Sequence, residues 1–70
     1  MTKEQKKWFN WGFTDQKSYP SRPEAILQEA WNILLKDIDR GLESWNTLFS
    51  NFPYYRKGVE QATKKLKLDR

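Results

Sequence analysis

Seventy residues at net charge +4, with neither cysteine nor histidine, exclude a disulfide framework, a zinc site on its usual ligands and the common nucleophile and base pairs of hydrolases. A chain this short buries only about 60 % of the surface its unfolded form exposes, so its core needs extra support. Four Trp, four Phe and three Tyr can supply it, since each large ring removes on the order of 150–250 Å² from water when buried.

The charge is unevenly placed. Residues 1–20 hold four lysines against Glu4 and Asp15, residues 21–53 hold three cations against five carboxylates, and residues 54–70 hold six cations against Glu60 and Asp69. The basic character belongs mainly to the C-terminal stretch. The N-terminal MTKEQKKWFNW lacks the apolar run of a secretion signal, and no stretch approaches the ~20 apolar residues of a membrane span. A soluble, cytoplasmic protein is expected.

In chain order, Thr2 and Gln5 have the spacing of a capping box, which predicts a helix over about 3–11. Gly12 suits the left-handed position just past its end, and the polar, proline-bearing stretch through residue 21 reads as a loop. Ser21 and Glu24 form a second capping box with Pro23 in the first turn. From there Leu27, Ala30, Trp31, Leu34, Ile38, Leu42, Trp45, Leu48, Phe49 and Phe52 recur at spacings of three and four, one face of a helix. That apolar phase runs through Gly41 without slipping, Asp37 and Asp39 would be disfavoured in a last turn, and no strong cap stands out behind the glycine. One long helix over about 22–51 is therefore predicted. Ser50 or Asn51 can cap a last helix over about 54–67, with Pro53 in its first turn and a stripe of Tyr55, Val59, Ala62 and Leu66.

The expected fold is all-α: a short N-terminal helix and a basic C-terminal helix packed on one long central helix, within a single small domain. On this arrangement the rings of KKWFNWGF, residues 6–13, are mainly core. Ile26 and Ile33 widen the central apolar arc beyond what two short helices cover, so some apolar surface is expected to remain for another chain.

Function is constrained mostly by what is missing. Asp39 and Glu43 stand one turn apart on a polar face and imply no pocket. DIDRG departs from a calcium loop, with Gly41 one place early and Leu48 where the twelfth-position Glu belongs. No catalytic residue, metal, cofactor, membrane contact or small-molecule substrate is expected. The strongest candidate is the basic face Arg56, Lys57, Lys64, Lys67 and Arg70, joined by Trp8, Trp11 and Tyr54 as aromatic contacts. These point to a non-enzymatic module that docks on a protein partner or forms a homodimer, as an inhibitor or adaptor of a larger complex. A nucleic-acid binder that sets the same cations against DNA or RNA phosphates is the alternative. As a helix-turn-helix the C-terminal half is weak, because its turn would be Asn51-Phe52-Pro53.

Overall fold

A computed structural model describes residues 1–68, and of Leu68 only its helical backbone. It is all-helical, with three helices and no strand among the described residues: α1 (Lys3–Ser18), α2 (Pro23–Asp39) and α3 (Trp45–Leu68). The class agrees with the sequence; the division of the chain into helices does not.

The Thr2 capping box forms as expected. Gln5 N–H donates to the Thr2 hydroxyl at 3.2 Å, and Thr2 N–H donates to the Gln5 side chain at 2.9 Å. The helix it opens does not stop at Gly12 but runs to Ser18, closed by Tyr19 N–H donating to the Asp15 carbonyl at 2.9 Å. Gly12 is buried inside α1 for a packing reason. A β-carbon there would overlap the Tyr55 carbonyl oxygen and lie 2.9 Å from its carbon. One at Gly58 would overlap the Phe9 carbonyl oxygen and lie 2.8 Å from the Phe13 nitrogen. The backbones of α1 and α3 touch directly at these two glycines.

The second predicted capping box is absent. Ser21 donates its hydroxyl to the Tyr19 carbonyl instead, Arg22 is the N-cap without a side-chain bond, and Pro23 occupies the first turn. The Arg22 carbonyl takes up the first free N–H groups, from Ala25 at 3.0 Å and Ile26 at 3.3 Å.

The single long helix is also overturned. α2 ends at Asp39, and Gly41 takes φ 75°, the left-handed region that glycine enters without steric cost. Its N–H donates to the Ile38 carbonyl at 3.0 Å and that of Leu42 to the Asp37 carbonyl at 2.8 Å, the two bonds of a Schellman end. A continued helix would bond the same N–H groups, so what favours the end is the roughly 0.5–1 kcal/mol that glycine costs in a helix interior, which offsets a dipole penalty of ~0.3–1 kcal/mol for an acid in the last turn. A cap for the next helix is present as well: the Ser44 hydroxyl accepts from Thr47 N–H at 3.2 Å and its carbonyl from Leu48 N–H at 3.1 Å. α3 thus begins nine residues before the predicted start at 54, with Pro53 in its interior and Asn51 buried within it. The unbroken apolar phase reflects two helices that each carry a stripe.

The predicted centre of the fold shifts accordingly. α3, not a central rod, is the element both others contact. α1 packs on it along most of its length, α2 more lightly, and α1 and α2 barely meet. α1 and α3 run in the same sense with α2 reversed, since Gln16 lines one groove with Thr63 and Leu66 while Glu4 lines another with Glu43. Cα extents of 41 × 25 × 15 Å describe a slab, which leaves broad faces outside. Trp8, Ile26, Ala30, Leu34, Leu48, Phe52, Tyr55 and Val59 fill the core.

Gly12→Ala and Gly58→Ala should each lower the unfolding free energy by about 1–3 kcal/mol or more, as expected of overpacking. In an uncrowded helix the same change would raise it by roughly 0.5–1 kcal/mol, so urea denaturation decides by its sign alone.

Candidate functional site

The aromatic residues form one connected path. Trp8 meets Trp11 edge-on with centroids 5.3 Å apart, Trp11 meets Tyr55 at 4.6 Å, and Tyr55 stacks on Phe52 at 5.5 Å. Phe52 meets Trp31 at 5.1 Å, Trp31 meets Phe49 at 6.3 Å, and Phe49 stacks on Trp45 at 5.5 Å. The path starts in the core and ends in solvent: Trp8 is 6 % exposed and Tyr55 1 %, whereas Trp45 is 48 % exposed, Phe49 62 % and Leu42 71 %. Half-buried Trp31, Leu35 and Ile38 of α2 extend the apolar composition on that helix.

This placement redistributes the candidate contacts. Trp8 belongs to the core and donates its indole N–H to Glu4 at 3.2 Å, which removes it from any outer surface. Trp11 is half-buried against Trp8 and Tyr55. Tyr54 is half-buried under the Lys57 ammonium, 5.0 Å from its ring centre. Arg56, Lys57, Lys64 and Lys67 are all exposed on α3, and Arg70 lies outside the described residues. Measured round the helix axis from Leu48, these four cations fall between about 80° and 180°, the side on which Phe49 lies at about 100°. Arg56 lines the α2–α3 groove together with Trp31 and Phe52.

Leu42, Trp45 and Phe49 are the exposed residues that sequence reasoning placed in the core. A signal for two of them was available. Phe52, Tyr55, Val59, Ala62 and Leu66 keep within about 40° of Leu48, while Phe49 sits well off that line and Trp45 about 60° from it. Only a helix starting near residue 45 makes this offset visible.

Among the described residues, Tyr55 is the one titratable group with a clear perturbation. Its hydroxyl donates to Asp15 at 2.9 Å and joins α3 to α1 beside the glycine crossing. Burial first, then that hydrogen bond, then the negative charges of Asp15 and Glu29, push its pKa well above the ordinary value near 10. No three acidic side chains converge as a metal site, and no helix is long and apolar enough to cross a membrane, among the described residues. Compared with known proteins, the chain matches no family model, no curated protein and no solved structure.

The Tyr55 shift has a signed consequence. Its folded pKa is raised, so its contribution to stability is fully present below the unfolded value of about 10 and is lost as pH rises beyond it. Melting temperature should fall in that alkaline range, and Tyr55→Phe should flatten the fall while costing about 1 kcal/mol at neutral pH through the lost bond to Asp15. A parallel slope in the variant would remove Tyr55 from the account.

Proposed function

We propose that this protein is a non-enzymatic docking module that binds a protein partner through the end of the slab formed by Leu42, Trp45 and Phe49, with Arg56 at its rim. The observation that supports the reading is the exposure of two stacked aromatic rings at the open end of a path of rings whose other members are buried or half-buried. Exposing them costs hydrophobic stabilisation that a chain of this size can ill spare. Trp and Arg are also the residue types that dominate interface energies.

With roughly 100 Å² exposed on each of three side chains, the patch falls in the range of ~300–600 Å² that is often functional on a monomer. It would form the apolar centre of a standard footprint of roughly 800 Å², with Arg56 in its polar rim. The inhibitor or adaptor role belongs to this same reading.

The nucleic-acid alternative draws on the exposed arc of Arg56, Lys57, Lys64 and Lys67. Phosphate binding would use those cations and leave the rings without a role, unless single-stranded bases stack on them.

Photo-crosslinking separates the two readings. With a benzoylphenylalanine probe at position 49 or position 64, in cells that naturally carry the chain, position 49 should give one discrete protein adduct that disappears with Trp45→Ser. The purified partner should then bind with an affinity lowered at least about tenfold by Trp45→Ser, while the melting temperature changes little. Nucleic-acid adducts at position 64, with binding that weakens steeply with salt, would favour the alternative. Self-adducts at position 49 would mean a dimer.

A further inference from the structure

The near-absence of contact between α1 and α2 leaves a groove along the opposite side of the core. At one end it is walled by Trp11 and Asp15 of α1 and by Ile26, Glu29 and Ile33 of α2, with Tyr55 of α3 reaching in beneath. At the other end the walls are Glu4, Lys7, Trp8 and Trp11 of α1 with Leu34 and Asp37 of α2 and Glu43. Trp11 lines both stretches, so the two hollows adjoin at its indole along the α1–α2 edge. Glu4 to Asp15 is about 17 Å at 1.5 Å per helical residue, or three turns.

Its charge runs against that of the chain as a whole. In a protein of net charge +4, the lining carries Glu4, Asp15, Glu29, Asp37 and Glu43 against a single cation, Lys7. Between the carboxylates lie mainly aromatic and aliphatic surfaces, with Ser21 and Tyr19 at the Asp15 end. The acids are strung along the groove and do not converge on a point, and no three of them form a metal site among the described residues. A row of spaced anions over an apolar floor is matched by a row of spaced cations carrying apolar side chains.

We infer that the groove between α1 and α2 binds a basic amphipathic segment of a partner protein, whose lysines or arginines meet Glu4, Asp15, Glu29, Asp37 and Glu43 while its apolar side chains rest on Trp11 and Ile33. Charge complementarity selects the partner's sign, and the rings select a peptide over a bare polycation. A second copy of this chain fits less well. The rings its α3 exposes, Trp45 and Phe49, stand at the start of that helix, and its cations begin only about two turns further on at Arg56, so it would not bring charges and apolar side chains interleaved. The inference does not rest on the docking end at Trp45 and Phe49, which faces a different side and calls for different chemistry.

The test uses the full chain, labelled with nitrogen-15, and a peptide of about twelve residues with lysine and leucine in helical spacing. Shifts should appear at the indole N–H signals of Trp8, whose bond to Glu4 reports on that carboxylate, and of Trp11, with Trp45 unmoved. Glu29→Gln combined with Asp37→Asn should weaken binding at least about tenfold and flatten its salt dependence. Both side chains lie outside the core, and a matching melting temperature establishes that the variant is folded. Phe49→Ser should leave peptide affinity within about twofold, which distinguishes failure of this site from failure of the docking end. Equal binding by the peptide with glutamate in place of lysine, equal binding by spermine, shifts confined to Trp45, or an unchanged affinity in the double variant would each overturn the assignment. So would concentration-dependent self-association that moves Trp8 and Trp11 without any peptide.

Discussion

The main-chain contact between α1 and α3 organises this molecule. Two glycines, one on each helix, remove the side chains that would keep the backbones apart, and Gly12 and Gly58 each face the other helix's carbonyl groups. Ordinary helix pairs stand ~8–10 Å apart because side chains interdigitate between them. Here the aromatic side chains are displaced sideways from the crossing, Trp8 and Trp11 to one flank and Phe9 and Phe13 to the other. Tyr55 ties the crossing by its bond to Asp15 and contributes its ring to the core at 1 % exposure. A thin chain thereby obtains a dense centre without disulfides or metal.

The same contact explains why the remainder of the surface is unevenly covered. With α1 spent on α3, α2 has only one flank of α3 to pack on, and it reaches it through Ala30, Leu34 and the Trp31–Phe52 pair. Three helices laid out as a slab bury one layer between them and leave edges that a rounder bundle would close. The open groove between α1 and α2 is one such edge, and the bare Trp45–Phe49 stack is the other. Both follow from the geometry of the pairings and not from any excess of apolar residues, since mean hydropathy is −0.99.

Local chemistry was legible in the sequence and pairing was not. Thr2 with Gln5 announced the first cap, Pro23 the start of α2, and the stripe from Tyr55 to Leu66 the inward face of α3. Gly41 was misread because three weak arguments pointed the same way against one strong one. A glycine followed by Leu42 can close a helix with two backbone bonds, and Ser44 is a good cap in its own right. Gly12 was misread for a deeper reason. A glycine that ends a helix and one that admits a neighbouring backbone look alike until the neighbour is known, and here the neighbour is 43 residues further on at Tyr55. Of the candidate contacts, the exposed cations on α3 could be found from composition and period. Leu42 could not, and the angular offset of Trp45 and Phe49 shows only once α3 is known to begin near residue 45.

Charge is unevenly spread over the slab. Carboxylates line the edge where α1 and α2 diverge, and Arg56, Lys57, Lys64 and Lys67 lie on the exposed arc of α3, an unevenness that the net charge of +4 conceals. Left to themselves, such faces attract one another between copies and invite head-to-tail association. What opposes it is the chemistry between the charges. The acidic side offers indole and aliphatic floor that asks for interleaved apolar side chains, whereas on α3 the inward stripe is buried and the exposed rings Trp45 and Phe49 precede the first of the arc's cations, Arg56, by about two turns. Opposite charge without matching apolar surface yields weak, salt-screened encounters of the kind that seldom exceed about 1 kcal/mol per exposed pair. Which faces stay bare, and with which charge, follows from which flanks the glycine crossing spends on the core.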